Sequence, residues 1–236
     1  MCSARSAQPA PAEPAAPGPR WPEVAVGLLA LGVVGFLGGA LIAQSPLAPV
    51  TTGLILAAWS GIAGMAGFMA AFALRIRSWA AFGVRATTTR WMMIAVGAGV
   101  LAFFLKGLAI LAYIAVTGDE TTPQTIFATG ASGGLWTAVA ATFFISVVTP
   151  IGEEFLFRGV VTTALLRHGR IAGIGGGALL FALSHGINVV FPAALVVGLI
   201  AGEIFRRSGS IWPAVMVHVI VNIPTVPALL LAQSVE

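Results

Sequence analysis

Charge is the scarcest property of this chain. Only 8% of its 236 residues are Asp, Glu, Lys or Arg, whereas a soluble domain carries about 25%. A mean hydropathy of +0.99 and 58% apolar residues exclude an ordinary water-facing surface. Cysteine is nearly absent too. Cys2 stands alone, which excludes an internal disulfide and a cysteine-based zinc site. Lysine occurs once, at Lys106, against eleven arginines. The net charge of +4 comes from arginines in short loops, so no basic face exists for nucleic acid. A phosphate-cradling loop is also missing, because the glycines at 173–177 are not followed by Lys-Ser/Thr.

What the chain has is long apolar runs: 24–43, 51–74, 92–116, 135–166, 171–189, 192–205 and 211–232. About 20 residues of helix cross a bilayer. The expected fold is therefore all-α, a polytopic transmembrane bundle of about seven (six to eight) helices. The run 192–205 is short and fits a tilted or re-entrant segment. Pro150 lies inside the long run 135–166 and is expected to kink or break it, leaving one helix or two. Residues 1–22 are Pro/Ala-rich and read as a disordered tail rather than a signal peptide. Residues 23–134 read as N-terminal transmembrane helices.

The loops carry an orientation. Arg20, Arg75, Arg77, Arg85, Arg90, Arg167, Arg170, Arg206 and Arg207 occupy alternate loops, while 44–50, 117–134 and 190–191 hold no Arg or Lys. By the positive-inside rule the N-terminus is cytoplasmic and the C-terminus outside.

With the loops assigned, the ionisable residues left at depth are Lys106, Glu153, Glu154, Arg158, His185 and His218. A charge at the centre of a membrane helix costs roughly 2.5–3.5 kcal/mol on insertion scales. Three of them within six residues, at Glu153-Glu154 and Arg158, point to use. Glu154 and Arg158 are four apart and share a helix face. Glu153 is turned by about 100° and faces elsewhere. Arg158 is thus expected to hold Glu154, leaving Glu153 free for chemistry. His218 and Asn222 share a face by the same spacing. At about 1.5 Å per residue, Glu153 and His185 lie roughly 21 Å from the cytoplasmic ends of their runs, and His218 about 13 Å. The three can meet at one depth. Each alone reads as interhelical glue, but together they read as a site. Two His and a Glu form a zinc ligand set with an open position for water. Without metal, the carboxylate is a general base for water. Asn222 and a histidine can donate to an oxyanion. Ser184 and His185 are adjacent and are not expected to face each other as a nucleophile pair. Lys106 reads as a snorkelling or helix-pairing residue, and Glu203 as a partner of Arg206 or Arg207.

These residues, in this order, resemble the CPBP intramembrane protease family, which includes the type II CAAX prenyl endopeptidases and abortive-infection and bacteriocin-immunity relatives. The pattern is Glu153-Glu154…Arg158, then Phe181…His185, then His218…Asn222, with Ser208-Gly209-Ser210-Ile211-Trp212-Pro213 leading into the last helix. The resemblance covers roughly 135–228, making 135–232 the catalytic helical core. It implies an endopeptidase whose site is inside the membrane and open to the cytoplasm. Glu153 would activate water beside His185 and His218, Arg158 would orient Glu154, and Asn222 would steady the transition state. Zinc or another divalent metal, held by Glu153, His185 and His218, and a metal-free glutamate mechanism both stay open. The expected setting is a bacterial plasma membrane, with the lipid bilayer and a peptide or membrane-protein substrate as partners and no nucleic acid. The other reading is a non-catalytic immunity or peptide-binding protein with the same fold. A transporter is disfavoured, since no inverted repeat is visible.

Overall fold

A computed structural model describes residues 18–233. Most of the tail expected over 1–22 therefore lies outside the described residues, and helix begins at Trp21. Eight helices and no strand are present among the described residues. They are α1 Trp21–Ala43, α2 Pro49–Leu74, α3 Thr89–Thr117, α4 Thr125–Ala131, α5 Leu135–Leu166, α6 Ala172–Leu183, α7 Val190–Ser208 and α8 Ile211–Ala232. Of these, α1, α2, α3, α5 and α8 are long and apolar enough to cross a membrane. The all-helical bundle expected from the apolar runs is what is observed.

Packing decides or changes three elements. First, of the one helix or two left open for 135–166, the structure has one, α5, continuous through Pro150. A π turn at Phe144–Val148 precedes the proline and a second one covers Phe155–Thr162. Proline cannot donate an i→i−4 bond, and the wider π turn absorbs that misfit without ending the helix. Second, the run 171–189 is not one span. Helix α6 stops at Leu183. Gly186 takes φ +78°, and the Phe181 carbonyl freed at the helix end is taken by Ser184 Oγ at 2.7 Å and His185 Nδ1 at 2.9 Å. The interruption falls before α7, so α7 itself is regular from Val190 to Ser208. Third, the loop 117–134 contains the short helix α4, packed on α2.

Helices α2 and α5 cross at backbone distance. A Cβ at Gly152 would lie 1.8 Å from the Gly61 carbonyl, and one at Gly64 would lie 2.7 Å from that of Gly152. Without side chains the two backbones touch, as in small-residue membrane interfaces. The shared core is aromatic: Phe68 meets Phe82 and Phe155 edge-on, and Phe157 meets Phe181 the same way.

One end of the bundle gathers the arginine segments. Arg75 pairs with buried Glu23 at 2.5 Å, and the Arg167 guanidinium lies 5.9 Å from the Trp21 ring. Arg170, Arg206 and Arg207 all reach Glu203, as expected for the last two. Ser210 Oγ donates to the Arg85 carbonyl at 2.7 Å, and Ile211 N to that of Gly83 at 2.9 Å.

Candidate active site

Three helices and one turn meet around Glu153. Glu153, Glu154 and Arg158 come from α5 and are all buried. His218 and Asn222 come from α8. His185 comes from the turn after α6. Ser60 comes from α2 and donates its hydroxyl to Glu153 Oε1. The α2–α5 glycine crossing places that serine, because Gly61 and Gly64 bring its backbone against Gly152 and Glu153.

Arg158 Nε lies 2.9 Å from Glu154 Oε2, and both side chains are fully buried. The N–H is not aimed at the oxygen, and the guanidinium makes no protein hydrogen bond. The pairing is therefore an ion pair by distance, supplemented by the Phe181 ring 4.8 Å from Arg158 Cζ. Phe181 also meets both imidazoles edge-on, with centroids 4.8 Å from His185 and 5.6 Å from His218. One aromatic side chain thus fixes three polar groups.

Glu154 has a second partner that spacing does not reveal. Its Oε1 lies 2.9 Å from His218 Nδ1. A carboxylate oxygen accepts, so the contact suits the tautomer with its proton on Nδ1, which leaves a lone pair on Nε2. The same holds for His185, whose Nδ1 donates to the Phe181 carbonyl. Both Nε2 atoms face Glu153: His218 is 3.8 Å from Oε2 and His185 is 4.0 Å from Oε1. Neither distance is a direct hydrogen bond. Separations of this size suit a water between the groups. Oε2 is buried and makes no protein hydrogen bond.

The metal expectation was placed on the same three side chains. Two ligands of one tetrahedral zinc lie about 3.3 Å apart when each bond is about 2.0 Å, shorter than both separations here. No group of three or more His, Cys, Asp or Glu is disposed to hold a metal among the described residues. The donors do not fit as they stand, and no step below passes through a metal.

Ser184 and His185 approach more closely than expected, at 3.4 Å. The reason is that they lie past the helix end, in the turn. The hydroxyl proton is spent on the Phe181 carbonyl, so the pair is still not an activated nucleophile. Asn222 Nδ2 donates to the Ile145 carbonyl at 3.1 Å, in the first π turn of α5. Lys106 Nζ donates to the Val221 carbonyl at 3.0 Å, joining α3 to α8.

The cluster borders two cavities. One, of about 410 Å³, holds Glu153, His185, His218, Asn222 and Lys106 in its wall and reaches the segment Glu120–Gln124. That segment is shaped by Asp119, which accepts from the Thr121 hydroxyl, from Thr121 N at 2.9 Å and from Tyr113 at 3.1 Å. The Thr121 hydroxyl, foremost, holds the Asp119 carboxyl below the usual range. The second cavity, about 360 Å³, is apolar, lies between α1 and α2, and shares Ser60, Glu153 and His185 with the first.

Buried carboxylates, imidazoles and a guanidinium meeting at a cavity between apolar spans define an integral membrane protein with a polar intramembrane site. Within that class, residues 134–224 match the family model described as Type II CAAX prenyl endopeptidase Rce1-like. The match takes in every motif residue from Glu153 to Asn222, so the CPBP resemblance holds there, and it supports a protease kind of function. No curated protein and no solved structure matches the chain. Ser60 and Lys106 lie outside the matched residues.

Proposed function

We propose that the protein is an intramembrane endopeptidase in which Glu153 activates water. The observation that carries this reading is the arrangement of the two imidazoles. Each is tied at Nδ1 and turns a free Nε2 toward the same buried carboxylate. A water there donates one proton to Glu153 and the other to an Nε2. Ser60 holds Oε1, so Oε2 receives the proton. The water oxygen then bonds to the carbonyl carbon of the peptide, whose oxygen takes up the electron pair. The carboxylic acid returns the proton to the amine as the C–N bond breaks. Asn222 has a second amide N–H for the oxyanion. Glu154, backed by Arg158, keeps His218 in its tautomer, as a carboxylate behind an imidazole does elsewhere.

The orientation proposed from the loops keeps the N-terminus cytoplasmic and the C-terminus outside, in a bacterial plasma membrane. The alternative, a non-catalytic immunity or peptide-binding protein, uses the same cavity without bond cleavage. Purified protein in proteoliposomes separates the two. Glu153→Gln, His185→Ala and His218→Ala are each expected to abolish cleavage of a fluorogenic membrane-peptide reporter while the protein stays folded. Full cleavage by folded Glu153→Gln protein sinks the proposal.

A further inference from the structure

We infer that the site is reached from the extracytoplasmic side, and that its substrate is a peptide segment presented at the outer face of the membrane. This takes the site of the proposed function as given and adds the side from which it is entered. The resemblance alone implies the opposite, a site open to the cytoplasm.

Two independent observations meet here. The first is the direction of the cavity. From Glu153 it runs past Asn222 and Thr225 on α8 and past Ile110 and Ile114 on α3 to Glu120 and Gln124. Along α3 this leads away from Arg90 and toward Thr117, and along α8 away from Ile211. None of the loop arginines lines either cavity. The second is the distribution of charge. Contacts of Arg75 with Glu23, of Arg167 with Trp21, of Arg170, Arg206 and Arg207 with Glu203, and of Ser210 with Arg85 tie the basic segments to the other end. The end where the cavity opens carries Asp119 and Glu120 and neither Lys nor Arg in residues 117–134. Arginine-rich short loops stay in the cytoplasm. The cavity mouth is therefore outside.

The packing accounts for why the other route is shut. Phe155, Leu156, Phe157, Val160 and Val161 of α5 are buried between Glu153 and the arginine end. They fill the path that a cytoplasmic peptide would take. Short α6 ends at the level of the site, and the turn that follows it places His185 in the cavity wall.

The test is cysteine accessibility in intact cells, in full-length protein made cysteine-free by Cys2→Ser. Three single cysteines are introduced: Glu120→Cys at the mouth, Ala193→Cys in the cavity wall, and Arg77→Cys at the arginine end. The probe is a small, charged, membrane-impermeant methanethiosulfonate. The expected result is modification of Glu120→Cys and Ala193→Cys before permeabilisation, and of Arg77→Cys only afterwards. Reaction of Ala193→Cys only after permeabilisation overturns the inference, whether Glu120→Cys reacts early or late. The labelling pattern does not depend on proteolysis. Failure of the peptidase reading would show as no cleavage by the wild-type protein, or as cleavage undiminished in Glu153→Gln, and would leave the accessibility result standing.

Discussion

Helices α2 and α3 are both long, apolar and outside the matched residues, yet the fold uses them differently. In its most apolar stretch α2 is 39% buried inside the protein and α3 only 17%. Helix α2 presses its glycines onto α5 and delivers Ser60 to Glu153. Helix α3 faces outward with Phe104, Leu108 and Leu111 and touches the site through Lys106. Apolar composition marks both as membrane helices. The stripe Gly53, Gly61, Gly64 and Gly67 marks α2 as the more deeply packed, while α3 packs one side on α7 and α8 and turns the other outward.

The largest effect expected is at the buried ion pair that α2 helps enclose. Arg158→Met leaves Glu154 a buried charge held by the His218 ring alone and is expected to cost about 3–5 kcal/mol. Denaturant unfolding in detergent measures it, and Glu154→Gln added to Arg158→Met should recover part of the loss. The next effect sharpens the comparison of the two helices directly. Gly61→Ala puts a Cβ 2.4 Å from the Val148 carbonyl and should cost about 1–3 kcal/mol by overpacking. Gly97→Ala on α3 meets nothing within 4 Å and should change stability by less than about 0.5 kcal/mol. The smallest pair concerns the polar residues each helix contributes. Ser60→Ala removes a hydrogen bond to Glu153 and is expected to lower kcat about tenfold with KM little changed, with Ser60→Thr restoring most of it. Lys106→Met removes an interhelical bond of the kind that averages about 0.6 kcal/mol in membranes. It should leave kcat within about threefold. Equal losses in kcat from Ser60→Ala and Lys106→Met would erase the distinction between the helices.

Much of the bundle was legible because membrane spans announce themselves by length and hydropathy. The Glu154–Arg158 proximity was legible too, since i, i+4 spacing dictates it. His185 was legible as a member of the site but not in its conformation. Its helix ends where Ser184 and His185 cap Phe181, and Gly186 was the local signal for that end. The Glu154–His218 contact links α5 to α8 and depends on their packing, which no single helix encodes. Ser60 was hidden because serine is ordinary in a membrane helix. The signal that could have found it is the small-residue stripe Gly53, Gly61, Gly64 and Gly67 beside it. Helix α4 is one of the shortest elements and was hidden inside a loop whose turn residues dominate its pattern. Pro150 left one helix or two open in the sequence, because a π turn can absorb what an α-helix cannot.

The central claim is that Glu153 performs peptide-bond hydrolysis inside the membrane. The most direct measurement is membrane N-terminal profiling in the native host, wild type against Glu153→Ala at matched expression. The account predicts a set of new protein N-termini in the wild type that vanish in the mutant, lying in segments exposed at the outer face. Identical termini in both strains, with the mutant folded and inserted, would contradict it and favour the binding or immunity reading.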